Sequence, residues 1–291
     1  IGLIKYNLPY GRVSHGIKIN NNFFGSEGNL GIIVSAVVRI HKISDMIMFD
    51  SAIFPDWDQG ILALKKMRLL ERKPVSIRLV DNTQFRLGQS MKEKKSSFVT
   101  ELYLKYMGID KNKITALTLI YEGSNDDIKQ QKKNINKIIY EHKGIIGGKT
   151  NGESGYNLTF AIAYLRDFLL ENFGIVSESF ETFIPWSKLK DLETNLNSTI
   201  TKEHNNNKLD EIPFISYRIS QIYNEGVCLY LYYGFVSDKL DNTCKEKFSY
   251  MSSIIKKYII NNGGSISHHH GIGKLKLKEY KENNSGELLT L

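Results

Sequence analysis

Met46-Ile47-Met48-Phe49-Asp50-Ser51-Ala52-Ile53-Phe54, followed by Asp56 to Leu70 and then Pro74 to Val80, is the stretch on which the fold turns. The first segment is an unbroken apolar and aromatic run of strand length. Asp56 stands where a helix N-cap accepts a free backbone N–H, and Ile61, Leu64 and Leu69 recur behind it, so Asp56 to Leu70 predicts a helix with those three toward the core. Pro74 to Val80 predicts another strand. The order is β-α-β, and it recurs. Ile114 to Tyr121 predicts a strand, Ser124 with Asp127 a capping box for a helix to about His142, and Ile145-Ile146 a short strand.

Further on, a helix is expected near Leu158 to Asn172, a strand over Ser177 to Phe183, and a helix opened by Pro185-Trp186 and running to about Leu196. Thr201 to Leu209 is polar and reads as a solvated loop. Phe214 to Tyr223 and Val227 to Phe235 flank Asn224-Glu225-Gly226 and predict a hairpin. A helix from about Asp241 to Asn261 follows, and the charged tail from Lys276 to Leu291 is expected to fray. Upstream, the β-branched run Ile32 to Ile40 predicts a buried strand behind a glycine-rich loop. Together these elements predict an α+β fold with a mainly antiparallel sheet, covered by helices on one face.

With 291 residues the chain can bury a large core in one or two domains. No apolar run approaches the roughly 18 residues needed to span a bilayer. Thirty-nine Lys and Arg against 31 Asp and Glu give a formal charge of +8. The lysines scatter among asparagines without an arginine-rich stripe, which matches compositional bias better than a nucleic-acid footprint and suits an anionic small substrate. Two cysteines, Cys228 and Cys244, rule out a disulfide framework and make a reducing compartment the default. The chain begins without a methionine or a signal-peptide pattern, and a piece of a longer protein is expected.

Four groups of residues could carry chemistry. His268-His269-His270 lies between Gly263-Gly264-Ser265-Ile266-Ser267 and Gly271-Ile272-Gly273-Lys274. Three adjacent imidazoles can hold protons, bind anions or ligate metal; the plainer alternatives are a tag or a His-rich surface loop. In an extended segment His268 and His270 would share one face and His269 the other. Gly25 to Gly31 is G-x-x-G-x-x-G, a ligand cradle or a plain turn, without the context of a dinucleotide fingerprint or P-loop. Arg78 and Arg166 each stand in largely apolar surroundings, as structural ion-pair partners or as fixed cations for phosphate or carboxylate. Tyr230 and Tyr232 share a strand face, as sheet packing or with one of them catalytic. His15, His41, His142 and His204 have no ligand spacing with each other or with the cysteines, so no metal is expected.

Taken together these residues resemble a known family. Gly25-Ser26-Glu27-Gly28-Asn29-Leu30-Gly31 is similar to the flavin-contact segment of the vanillyl-alcohol-oxidase type of FAD enzymes. Ser76 to Asn82, Ala163 to Asp167, Glu178 to Thr182 with Pro185-Trp186, and Gly263 to Leu275 resemble the alkyldihydroxyacetone-phosphate synthases within it. The dehydrogenase relatives share the Ser-Ile-Ser and His-Gly-Ile-Gly surroundings but not the triple histidine, and their Gly-Asp-Gly-Asn-x-His motif is absent here.

The resemblance implies an enzyme of ether-lipid synthesis that transfers alkyl groups. A long-chain fatty alcohol would replace the acyl group of acyl-dihydroxyacetone phosphate, with FAD as a covalent handle and no net redox change. Tyr230 matches the proton-abstracting tyrosine, Arg166 the substrate-binding arginine, Arg78 a further arginine needed for activity, and His268, His269 and His270 the essential histidines. Glu27, Gly28, Asn29, Leu30, Gly31, Ile32 and Ile33 match the flavin contacts, with Asn29 in place of the usual threonine. It also implies an FAD-domain edge over 1–43, a substrate cap over 44–262 and an active-site segment with its tail over 263–291. A peroxisomal homodimer with peripheral membrane association is implied for the full-length protein, with this portion alone inactive. The rivals are an FAD-linked D-lactate or glycolate dehydrogenase and a silent truncated module.

Overall fold

The computed structural model describes residues 14, 19–91, 104, 106–209 and 212–284. After a short helix α1 (Ile19–Phe23), the elements run β1 (Met46–Phe54), α2 (Trp57–Met67), β2 (Ser76–Val80), α3 (Asn82–Ser90) and β3 (Thr115–Gly123). They continue with α4 (Asn125–Glu141), β4 (Ile145–Ile146), α5 (Lys149–Phe173), β5 (Ile175–Pro185) and α6 (Leu189–Asn206). The last are β6 (Phe214–Ile222), β7 (Gly226–Val236), α7 (Asn242–Asn261) and α8 (Leu277–Asn283).

Seven strands form one sheet in the order β4-β1-β3-β2-β6-β7-β5, with antiparallel neighbours throughout. Because β3 lies between β1 and β2, those two run parallel to each other; β7 stands in the same relation to β5 and β6. The sheet is therefore two split β-α-β units side by side, joined where Leu79 and Val80 meet Ile219 and Arg218. The expected α+β architecture holds in this form.

Local chemistry explains the helix starts. Asp56, Asp81, Ser124 and Asp241 are N-caps in extended conformation, each accepting a backbone N–H three residues on. The strands supply the core by alternation. Ile77 and Leu79, Leu117 and Leu119, and Leu229 and Leu231 pack against Leu64 of α2, Ile135 of α4, Leu196 of α6 and Ile255 of α7. Each such burial contributes roughly 1.5–3 kcal/mol before ordering entropy is subtracted.

Several expectations need correction. The run Ile32 to Ile40 forms no strand: it is irregular and exposed, Val37 to 94%. A β-branched run needs a ladder partner, and none pairs with it among the described residues. Thr201 to Asn206 is helical, because the stripe Leu189, Leu192, Leu196, Ile200 and His204 continues the apolar face. His204 is fully buried there, and its Nδ1 is 3.1 Å from the Tyr233 hydroxyl. Leu69 lies past the end of α2 and is exposed. Lys276 pairs with Glu181, and α8 behind it buries Glu279, so this part of the tail is docked. Residues 285–291 lie outside the described set.

Helices also do not keep to one face. α5 crosses the opposite one, where Phe49 packs on Tyr156 with ring centroids 5.7 Å apart. Gly152 makes this approach feasible, since a Cβ there would lie 2.3 Å from the Asp50 carbonyl oxygen.

Candidate functional site

The site is built on one row of the sheet. Glu181 of β5, Tyr230 of β7 and Arg218 of β6 are register partners across three adjacent strands, and so share a face. Alternation puts Cys228 and Tyr232 on that face too, while Leu229, Leu231 and Tyr233 enter the core. The Tyr230 and Tyr232 rings are stacked at 6.1 Å. The Arg218 guanidinium carbon lies 4.8 Å from the Tyr230 centroid and 5.4 Å from that of Tyr232. Arg218 is 9% exposed, and its Nε has no hydrogen-bond partner among the described residues.

Arg78 of β2 lies over Tyr156 of α5 at 4.8 Å. Burial, and then the positive charge of Arg218, hold its pKa below the usual guanidinium value. The two guanidiniums stand close enough for each to feel the other's charge.

Glu181 organises the histidines. Ser265 is clipped to β5, donating its N–H to the Phe183 carbonyl at 2.9 Å while its hydroxyl accepts from the Phe183 N–H at 2.9 Å. The chain then wraps the Glu181 carboxylate. Oε1 accepts from the Ser267 hydroxyl at 2.6 Å, the His270 N–H at 3.0 Å and Lys276 Nζ at 3.3 Å, and Oε2 from the His268 N–H at 2.6 Å. Burial would raise this carboxyl, but the donors of Ser267, His270 and His268 outweigh it and bring the pKa down to about 2.

The wrapping overturns the extended reading of the triplet. His269 and His270 both turn to Tyr230, with Nε2 atoms 2.7 and 3.2 Å from its hydroxyl. His268 faces elsewhere, with Nδ1 2.7 Å from His269 Nδ1 and Nε2 2.9 Å from the Tyr223 hydroxyl. The reason is that the segment is a loop gathered around one carboxylate, not a strand.

One set of hydrogen positions satisfies the whole chain of contacts. The Tyr230 hydroxyl donates to His269 Nε2, His269 Nδ1–H to His268 Nδ1, His268 Nε2–H to the Tyr223 oxygen, and the Tyr223 hydroxyl to Gln221 Oε1 at 2.6 Å. This is a proton path from a buried phenol to a half-exposed one.

Its Tyr230 end is held protonated. Burial, with Cys228 adding and Arg218 opposing, pushes the Tyr230 phenol up to about 12. Burial also lowers His268 and His270. Arg218 is a cation beside the phenol, but desolvation outweighs it, so Tyr230 keeps its proton until an acceptor takes it.

The glycine loop reaches the same place from the other end of the chain. Gly25 and Gly28 have φ of +80° and +85°, which glycine adopts without strain. Glu27 accepts the backbone N–H groups of Ile272 and Gly273, the latter at 2.7 Å, so the loop is tied to the residues just after the triplet. Exposed backbone in positive-φ glycines beside the histidine loop fits a planar ligand laid across both segments. A cavity of about 620 Å³ opens on the far side of the loop, lined in part by Phe248, Lys256, Ile259 and His270.

Of the residues singled out from sequence, Tyr230, His268, His269, His270 and Arg78 are brought together, and Glu27 is tied to the adjoining loop. Gly28 to Ile33 form the exposed segment that follows Glu27. Arg166 is not brought in: its side chain is 58% exposed and pairs with Asp167 at 3.2 Å. Glu181, Arg218 and Cys228 were missed. Glu181 lies inside the segment Glu178 to Thr182 that carries the resemblance, without being singled out there, and the signal for Arg218 and Cys228 was their place on strand faces whose register the sequence does not print.

Residues 47–291 match the family "FAD linked oxidases, C-terminal domain". The chain is 35% identical over 283 residues to an alkyldihydroxyacetonephosphate synthase of Caenorhabditis elegans, covering 94% of this chain and 47% of that protein. To the Dictyostelium discoideum protein of the same name it is 28% identical, covering 90% of this chain and 43% of the relative. A solved alkyldihydroxyacetonephosphate synthase superposes with a TM-score of 0.75 at 24% identity, over 92% of this chain and 48% of that one. The chain thus spans about half the length of the curated relatives it matches. The chain belongs to the FAD-linked oxidases through their C-terminal domain, with FAD as its cofactor.

Proposed function

We propose that this chain is the substrate-binding and catalytic part of an alkyldihydroxyacetone-phosphate synthase, exchanging the acyl group of acyl-dihydroxyacetone phosphate for a long-chain fatty alcohol. The observation that carries the reading is the neutral Tyr230 phenol within 2.7 and 3.2 Å of two imidazole nitrogens, on a sheet row shared with a buried arginine. The likeness to the named synthases over nearly the whole chain supports it.

FAD, when bound, supplies an electrophilic ring that can hold substrate carbon during the exchange. The chain's own residues do the rest. Arg78 and Arg218 take the phosphate, whose two negative charges answer their mutual repulsion. Arg166, matched by the family's substrate-binding arginine, belongs to the same task and would have to turn from Asp167 toward the substrate. Tyr230 stands between substrate and His269, so a proton leaving carbon 1 passes to the phenol oxygen as the phenol proton passes to His269 Nε2. His270 is the second acceptor. The path through His268 and Tyr223 then returns the proton to solvent. Glu181 keeps the imidazoles aimed, as a positioning residue. Gly28 to Ile33 with Glu27 meet the flavin.

The same reading gives 1–43 to the FAD domain, 44–262 to the cap and 263–291 to the active-site segment and its tail. It assigns the full-length protein to the peroxisome as a homodimer meeting a membrane surface, where long-chain alcohols partition. Full-length protein with FAD should convert acyl-dihydroxyacetone phosphate and labelled hexadecanol to the ether product, and should not reduce dye with D-lactate or glycolate. Dye reduction without ether formation would establish the dehydrogenase alternative, and neither activity the silent module.

A further inference from the structure

Cys228, His268, His269 and Glu181 come from three separate stretches, yet their ligand-type atoms all lie within 4.8 Å of one another. His268 Nδ1 and His269 Nδ1 are 2.7 Å apart, and His269 Nδ1 is 4.0 Å from both Cys228 Sγ and Glu181 Oε2. Around a tetrahedral zinc, Zn–S of about 2.3 Å and Zn–N of about 2.0–2.1 Å place sulfur and nitrogen roughly 3.5 Å apart and the two nitrogens roughly 3.3 Å apart. The nitrogen pair and the sulfur–nitrogen pair are within about 0.6 Å of that, and the remaining ligand atoms, all within 4.8 Å of one another, would close up by side-chain rotation.

The outer contacts suit a metal as well. Metal-bound imidazoles have their second nitrogen held by a hydrogen-bond partner; here Tyr223 holds His268 Nε2 at 2.9 Å and Tyr230 holds His269 Nε2 at 2.7 Å. Glu181 Oε1 is crowded with donors, but Oε2 accepts from the His268 N–H and keeps a lone pair toward His269.

We propose that Cys228, His268 and His269, with Glu181 Oε2 as fourth ligand, form a site for a thiophilic divalent cation such as zinc, and that filling it slows proton transfer from Tyr230. Binding releases the Cys228 thiol proton to solvent and moves the single ring proton of His269 from Nδ1 to Nε2, and the cation forms one bond to sulfur, one to each Nδ1 and one to Glu181 Oε2. No electron moves. With Nδ1 on the metal, neutral His269 must carry its hydrogen on Nε2, where it can donate to Tyr230 and no longer accept from it. The path to Tyr223 is cut, leaving His270 at 3.2 Å as the remaining acceptor. The binding claim is independent of the catalytic reading; the slowing rests on it.

Cobalt(II) titrated into this chain reads the site directly. Wild type should bind one equivalent with the visible bands of a tetrahedral ion and a thiolate charge-transfer band, and zinc should displace it. Cys228→Ser, checked by circular dichroism for fold, should lose the charge-transfer band, and His268→Gln should weaken binding about tenfold or more, the loss of one ligand. Absence of that band in wild type, or an affinity in both variants equal to that of wild type, overturns the site. In the full-length enzyme, zinc should slow solvent exchange of the substrate's carbon-1 hydrogen in wild type and not in Cys228→Ser. Exchange unaffected by saturating zinc overturns the slowing while the site stands, and no exchange in metal-free enzyme overturns the catalytic reading instead.

Discussion

Glu181 and Tyr230 stand opposite each other on β5 and β7, and between them they hold all three histidines: Glu181 by the main chain of the triplet, Tyr230 by the rings of His269 and His270. Aim and reactivity are thereby set by different residues.

Glu181→Gln removes the charge under the loop while keeping its size. The folded-state pKa is depressed from 4.5 to about 2, so the carboxylate's stabilisation is present above about pH 4.5 and is lost as pH falls toward 2. The variant should be less stable by on the order of 2–3 kcal/mol at pH 7, and the gap should shrink by pH 3. Urea unfolding at both pH values checks this; an equal gap at both would leave the charge without a role.

Glu193 carries the opposite sign. It accepts from Trp57 Nε1–H at 2.6 Å, and burial raises its pKa from 4.5 to about 7. Its contribution is fully present below about pH 4.5 and is lost as pH rises through 7. Glu193→Gln keeps an acceptor for Trp57 and needs no proton, so it should gain about 1–2 kcal/mol at pH 8 relative to wild type and little at pH 5. Denaturant midpoints at the two pH values decide it; a loss at pH 8 would be contrary.

Tyr230→Phe should preserve fold and FAD binding in the full-length protein while ether formation falls by about 10²- to 10⁴-fold. Tyr232→Phe should be far milder, because Tyr232 meets Tyr230 and Arg218 through its ring, which Phe keeps. Carbon-1 hydrogen exchange isolates the step. Retained exchange and turnover in Tyr230→Phe would remove this tyrosine as the base.

Glu27→Ala should release the glycine loop from Ile272 and Gly273. FAD affinity of the full-length protein, read by flavin fluorescence, should weaken several-fold with thermal stability almost unchanged, since this carboxylate lies on the surface. Unchanged FAD affinity would sever the glycine loop from the cofactor.

How much of this was legible follows from how far each cause reaches along the chain. Asp56, Ser124 and Asp241 announce their helices because an N-cap and the N–H it satisfies are three residues apart. Strand faces at Leu229 to Tyr233 are equally local, so the antiparallel α+β fold and the triple histidine could be read directly, while Tyr230 was set apart from Tyr232 only by the family resemblance. The helical turn holding His204 misled because its polar residues hide one fully buried histidine on the apolar stripe. Ile32 to Ile40 misled because hydrophobicity reports a wish for a partner, not the partner's presence.

The sequence by itself determined the elements, the alternation that gives each strand two faces, and the residue types able to do proton chemistry. Only the tertiary structure decided that Glu181 lies under histidines 87 to 89 residues away, that Arg218 covers Tyr230, and that Cys228 meets His269. Those relations depend on which strand pairs with which, and in what register. Register is fixed by burial summed over the whole sheet, a quantity no local stretch of chain contains.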